Sequence, residues 1–187
     1  MIKLSSQIEF VKNEDEFLNS ENNETAIIVL DKTEAVYGAD GSCNIEWCNE
    51  NNVPYVHQYR LQGGGCIVGV KGNIFIDAKR LLDDEDSECL SDKFSKALCE
   101  YLKVIGLDSV RQDNNDVLVN GYKVASGCES IVNGFKYMGY QISINQDIEL
   151  IKHVCNKEMV KEPKGLGEFG VTTEGIVAFC EEYWKNN

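Results

Sequence analysis

No stretch of the 187-residue chain is apolar for long enough to cross a bilayer. The longest runs, such as Ala26–Leu30, fall far short of the roughly 20 residues a membrane helix needs. Met1–Phe10 carries a lysine and a glutamate and no long apolar run, so it does not read as a secretory signal. A cytoplasmic protein with no membrane partner is expected. Basic residues are also scarce: 18 Lys and Arg stand against 31 Asp and Glu, a formal net charge of −13. Nucleic-acid phosphates demand a basic face, so no nucleic-acid partner is expected. Only two histidines occur, His57 and His153, and none of the eight cysteines forms a Cys-x-x-Cys pair. The spacing of a structural zinc site is therefore absent. Scattered cysteines without an export signal read as reduced, buried, small hydrophobes. There is no internal repeat, low-complexity tract or linker, and the length suits one domain spanning 1–187.

What is present is a series of short apolar segments separated by turn residues. Ser6–Leu18 has loosely helical spacing, and Thr25–Leu30 reads as a buried strand with Ala35–Gly38 as its hairpin or neighbouring partner. Asn44–Asn51 suits a short helix. Cys66–Val70 and Ile74–Ile76 read as two short strands joined by a tight turn at Lys71–Gly72. Leu90, Phe94, Leu98, Leu102 and Ile105 follow a 3.6-residue period that should stop at Gly106, with acidic Asp83–Asp86 charging the N-terminal side. Asn120–Gly121 between Asp116–Val119 and Tyr122–Ala125 is a strong hairpin signal. Strands at Ser130–Phe135 and Met138–Ile144 follow. A helix at Asp147–Cys155, a loop through Pro163–Gly170, and a helix from Glu174 to Trp184 capped by Thr173 complete the pattern. The expected class is α+β, a mixed, largely antiparallel sheet covered by helices.

Two segments carry motifs. Tyr59-Arg60-Leu61-Gln62-Gly63-Gly64-Gly65-Cys66-Ile67 is followed by Gly72-Asn73, and Asn115-Asp116-Val117-Leu118 by Asn120-Gly121-Tyr122-Lys123-Val124-Ala125-Ser126-Gly127. Together with Gly139–Ile144 and Pro163-Lys164-Gly165-Leu166, their order resembles the lipoate–protein ligase A family, within the biotin and lipoate ligase superfamily. The family's first arginine is Tyr59 here, and its His-Asp pair after the glycines is Gly69-Val70. The resemblance covers the catalytic domain only, with no accessory C-terminal domain expected.

The resemblance implies an ATP-dependent ligase or transferase for protein lipoylation. Lipoate, or a similar small carboxylate, would be activated with ATP to an acyl-adenylate and passed to a lysine of a lipoyl-type carrier protein. An accessory subunit is a further expected partner. It implies Lys123 as the catalytic cation beside the developing phosphate charge. Substrate and nucleotide would be bound by Arg60, Gly63, Gly64, Gly65, Gly72, Asn73, Asn115, Asp116, Ser126 and Gly127. Glycines let backbone N–H groups approach a ligand closely, and a carboxylate such as Asp116 suits Mg²⁺. Cys66, Ile67 and Val68 are candidates for an apolar slot, although only alternate side chains of a strand share a face. Two alternatives stay open: ATP-independent octanoyl or lipoyl transfer through a cysteine thioester, for which Cys128 is the candidate, and a non-catalytic ligand-binding relative. In one octanoyltransferase branch the nucleophile holds the position of Lys164, which disfavours the thioester route.

Overall fold

A computed structural model describes residues 1–38, 43–58, 65–82, 88–112, 115–155 and 162–187. Ten strands and five α-helices alternate along them. They are β1 (Ile2–Leu4), α1 (Gln7–Asn19), β2 (Glu24–Val29), β3 (Glu34–Tyr37), α2 (Ile45–Glu50), β4 (Tyr55–His57), β5 (Cys66–Gly69) and β6 (Ile74–Leu81). Then follow α3 (Leu90–Val104), β7 (Ser109–Arg111), β8 (Val117–Val119), β9 (Tyr122–Val132), β10 (Phe135–Ile142), α4 (Ile148–Val154) and α5 (Thr173–Asn186). Seven strands form one sheet in the order β1-β2-β6-β10-β9-β8-β7, antiparallel except for β1 with β2. Three more form a small sheet, β4-β3-β5.

Strand alternation assigns the two faces of the large sheet. Ile74, Ile76 and Ala78 of β6, with Met138, Tyr140 and Ile142 of β10, point to one face. There they meet Leu90, Phe94, Leu98 and Leu102 of α3 and Ile176, Cys180 and Trp184 of α5. Phe94 is the hub, its ring 5.0 Å from Tyr140 and 5.6 Å from Trp184. On the other face, Phe75, Tyr137 and Ile28 pack under Phe10 and Phe17 of α1. The small sheet covers the rest of that face, with its own core of Ala35, Cys43, Cys48, Val68 and Val154.

Local signals explain the helix ends. Ser6 caps α1, its Oγ accepting from Glu9 N–H at 3.2 Å, and the buried Glu34 carboxylate accepts from Gln7 N–H and Ile8 N–H. A carboxylate there also complements the helix dipole. α3 ends at Gly106, whose φ is +91°. The Asn120–Gly121 turn has both residues at positive φ, as a two-residue hairpin requires.

Several expectations are corrected. Ala35–Gly38 does not pair with Thr25–Leu30, because both edges of β2 are taken by β1 and β6, and β3 goes to the small sheet. The strands at Cys66 and Ile74 also part company across their turn, into different sheets. The proposed strand Ser130–Phe135 is broken by a second turn, Asn133–Gly134, at φ +51° and +80°. Thr172, not Thr173, caps α5, accepting from Gly175 N–H at 3.1 Å. Asp83–Asp86 lies outside the described residues. The cysteines divide: Cys43, Cys48, Cys99 and Cys180 are buried, Cys66, Cys128 and Cys155 half-buried, and Cys89 exposed. Among the described residues no helix is long and apolar enough to cross a membrane.

Because Phe94 touches both α5 and the sheet, Phe94→Ala should cost about 3–5 kcal/mol of unfolding free energy. Urea titration followed by circular dichroism measures this; a loss under about 1 kcal/mol would mean that the α3–α5 layer repacks freely.

Candidate active site

The candidate site lies between the two sheets, and β9 supplies the lysine at one end of it. Val117 pairs with Ala125 but Leu118 pairs with Lys123, so β9 carries one extra residue, Val124. Without this bulge Lys123 would share a face with Ala125, on the helix-covered core. With it, Val124 and Ala125 both enter that core, and Lys123 turns to the opposite face. There its ammonium meets Asp116 Oδ1 at 2.9 Å. The Asp116 side chain is 4% exposed and that of Lys123 36%, so the buried partner holds the solvent-facing one.

The backbone of Lys123 is held from a second side. Its N–H donates to the Glu162 carbonyl at 3.1 Å, and its carbonyl accepts from Lys164 N–H at 3.0 Å. The late loop is thus bridged directly to the lysine. The Lys164 ammonium points elsewhere, 4.6 Å from the Tyr122 ring centre and 3.3 Å from Glu168.

A cavity of about 460 Å³ runs from Lys123 and Asp116 across the sheet. Ser126, Cys128, Gly139, Gln141, Phe75 and Asp77 form its floor; Val36, Tyr37, Gly65, Cys66 and Ile67 of the small sheet and its flanks form its roof. Gln141 Nε2 ties floor to roof through the Val68 carbonyl at 3.1 Å. Gly127 has no room for a Cβ, which would lie 2.0 Å from the Tyr140 ring and 2.7 Å from the Gly139 carbonyl.

Of the residues expected at the site, Lys123, Asp116, Gly65, Ser126 and Gly127 line the cavity. Cys66 and Ile67 do too, whereas Val68 is core of the small sheet. Gly72, Asn73 and Asn115 are scaffold instead. Asn73 is fully buried, and its Oδ1 accepts from Ile144 N–H and Asn145 N–H, both at 2.9 Å. Gly72 takes φ +91° in the same turn, where a Cβ would meet Asn145 at 2.8 Å. Asn115 bonds Arg111, Ser91 and the Tyr140 hydroxyl, fixing the entry to Asp116. Arg60, Gly63 and Gly64 lie outside the described residues. The two histidines pack on aromatics, His57 on Tyr37 and His153 on Trp47.

Sequence reading missed the far end of the cavity. Asp77 is buried, accepting from the Tyr137 hydroxyl at 2.6 Å and from Gln7 Nε2 at 3.0 Å. Burial pushes its carboxyl up to about 7 from the ordinary 3.8, against the pull of those two donors. The available signal was a charge inside the apolar run Ile74–Ala78. Burial likewise pushes the neighbouring Cys128 thiol up to about 11, with Asp77 adding to the rise. Among the described residues no group of three His, Cys, Asp or Glu side chains is placed to hold a metal.

A sequence model of the lipoyl protein ligase A/B catalytic domain matches residues 12–175. The chain therefore belongs to that family. No curated protein matches it. Solved structures share the fold at low identity. LipL1 of P. falciparum, in complex with lipoate, is 15% identical, with 99% of this chain and 61% of that one covered at a TM-score of 0.78. A lipoate-protein ligase A bound with ATP is 13% identical, with 95% and 81% covered at 0.76. The bi-partite lipoate protein ligase of Thermoplasma acidophilum, described with its lipoyl domain, is 14% identical, with 95% and 79% covered at 0.76. The mixed, mostly antiparallel sheet with covering helices is the catalytic fold of these ligases.

The raised carboxyl of Asp77 makes stability depend on pH. Its folded value exceeds the unfolded one, so the folded state holds the proton more tightly and loses stability as pH climbs between the two. Asp77→Asn should remove that loss, gaining about 4 kcal/mol at pH 8 and little near pH 4. Thermal unfolding across this range tests it; parallel curves for the two proteins would refute the burial argument.

Proposed function

We propose that this domain activates lipoate, or an acid of similar size, with ATP to an acyl-adenylate and then transfers the acyl group to a lysine of a lipoyl-type carrier protein. The observation that carries the reading is Lys123, turned out of the core by a bulge and held by buried Asp116 at one end of the cavity between the sheets. Adenylation brings a carboxylate and a phosphate together, and negative charge grows as pyrophosphate leaves. A preorganised ammonium stabilises that charge without reorganising water. Its strand and loop anchors fix it more tightly than a surface lysine. Ser126 and Gly65 line the same cavity, with a hydroxyl and backbone groups to offer a ligand.

Mg²⁺ is expected to accompany ATP. Asp116 fits as a single protein ligand, since this ion commonly keeps waters and phosphates for its remaining positions. Bound there, it would neutralise phosphate charge. Support for the acid, the nucleotide and the carrier comes from relatives crystallised with lipoate, with ATP, or described with a lipoyl domain. An accessory subunit is part of the proposal on the same ground, because the T. acidophilum relative is bi-partite.

The competing cysteine route has one observation in its favour: Cys128 lines the cavity. Its thiol stays protonated at neutral pH, and no histidine lines the cavity among the described residues. A thiolate nucleophile needs the opposite environment.

Lys123→Ala should lower lipoate-dependent ATP–pyrophosphate exchange by about 100-fold or more while leaving the melting temperature within a few degrees. Exchange within about threefold of wild type would sink the assignment. Cys128→Ser should keep most of the exchange activity, and mass spectrometry after incubation with octanoyl-acyl carrier protein should find no acyl adduct on Cys128. An adduct formed there without ATP would establish the thioester route instead.

A further inference from the structure

Four of the eight cysteines gather around the small sheet, far apart in sequence. Cys43 precedes α2, Cys48 lies within it, Cys66 opens β5 and Cys155 follows the end of α4. The other four belong to α3 and its N-terminal cap, to β9 and to α5. Cys43 and Cys48 are core of the small sheet, and Cys66 and Cys155 pack half-buried against them.

The fold holds these thiols together by backbone pairing. Cys43 faces Cys155 across an antiparallel bridge, beside which Asn44 N–H donates to the Val154 carbonyl at 2.8 Å. From there Cys155 Sγ reaches the Cys66 carbonyl at 3.4 Å, and the Cys66 thiol is hydrogen-bonded to the Cys155 sulfur. The Cys43 thiol bonds those of Cys66 and Cys48. No three of these side chains are placed to hold a metal, so the cluster offers thiols in pairs. Within the pair the two sulfurs are unequal. Donation from the Cys66 S–H lowers the Cys155 thiol below its ordinary value, against the effect of burial. The same bond, with burial adding to it, pushes the Cys66 thiol up. The thiolate is the nucleophile in thiol–disulfide exchange, so Cys155 is the attacking thiol and Cys66 the resolving one.

We propose that Cys155 and Cys66 are a reversible dithiol–disulfide site, oxidised by a small-molecule disulfide of the glutathione type. The Cys155 thiolate attacks one sulfur of glutathione disulfide, which forms a mixed disulfide on Cys155 and releases one glutathione thiolate. Capping Cys155 ends the chief cause of the high Cys66 value. The Cys66 thiol gives its proton to the released glutathione, attacks the Cys155 sulfur and expels the second glutathione. Two protein thiols and one glutathione disulfide thus become one protein disulfide and two glutathione thiols. The bond joins residues 89 positions apart. It ties β5, in the roof of the cavity, to the chain that runs on to Glu162, whose carbonyl accepts from Lys123 N–H. This inference goes beyond the ligase reading and holds whatever acid the cavity takes.

The test is to reduce the whole chain, hold it in excess glutathione disulfide at neutral pH, and map its bonds by mass spectrometry. One intramolecular bond, Cys66–Cys155, should form and be reversed by dithiothreitol. Closing so long a loop should raise the melting temperature by about 5 °C or more. Cys66→Ser, which keeps a hydrogen-bond donor beside Cys155, should accumulate glutathione on Cys155, whereas Cys155→Ala should leave Cys66 unmodified. If a variant fails to fold, the map of the wild-type chain decides alone. A Cys43–Cys155 bond in its place, glutathione resting on Cys66, or eight thiols still free after the incubation would each overturn the assignment. So would a bond that forms only with a fall in melting temperature, which would mark oxidation of the unfolded chain. Zinc bound to the purified chain, whose removal frees the four thiols, would show a metal site instead.

Discussion

One inserted residue in β9 decides which way Lys123 faces. Strand geometry alone would send Lys123 into the layer of Phe94 and Trp184, where an ammonium has no partner and desolvation would be severe. Val124 absorbs the parity change by entering that layer itself. The rest of the site is arranged around this reversal. Asp116 waits on the neighbouring strand edge, the Asn115 network fixes its position, and residues 162–164 bridge to the lysine backbone from outside. The Asp116 carboxylate would have no ammonium to meet if the strand ran without its bulge.

The two faces of the large sheet then divide the work. The helix-covered face is continuous hydrocarbon and aromatic packing. The opposite face is hydrocarbon only where α1 crosses it, and becomes Ser126, Cys128, Gly139, Gln141 and Asp77 beneath the small sheet. The small sheet keeps a core of its own and touches the floor through a few bonds such as Gln141 to Val68. A slot can therefore persist between two well-packed bodies without either giving up its burial.

How much of this was legible in the sequence depended on how local each cause is. The α3 period, its Gly106 stop and the Asn120–Gly121 hairpin are written in neighbouring residues, and they stand as read. The second Asn-Gly, at 133–134, carries the same signal, but the otherwise unbroken strand pattern around it conceals the turn. Strand partnership is not local. β3 and β5 join each other because the edges of β2 are occupied, a fact no window of sequence contains. β1, β4 and β7 are three residues long, too short to display alternation. The motif around Lys123 pointed to the correct strand, while the bulge that aims the lysine exists only in the pairing. Asn73 and Gly72 sit in a family-like motif yet serve the turn that pins the end of β10. Arg60, Gly63 and Gly64, from the same motif, fall outside the described residues.

Gln7 is also a mechanical part of the fold. Its backbone N–H donates to Glu34 of β3 at the roof, and its side chain donates to Asp77 of β6 on the floor. A single residue of α1 is thus a strut between the two sheets, seated at the start of a capped helix. The gap between roof and floor at this end is spanned by three side chains in series, Glu34, Gln7 and Asp77. The depth of the slot, in contrast, is set by Asp77 and the bare Gly139 beside it. Width and depth are consequently governed by different sets of residues, so either can change by substitution without the other.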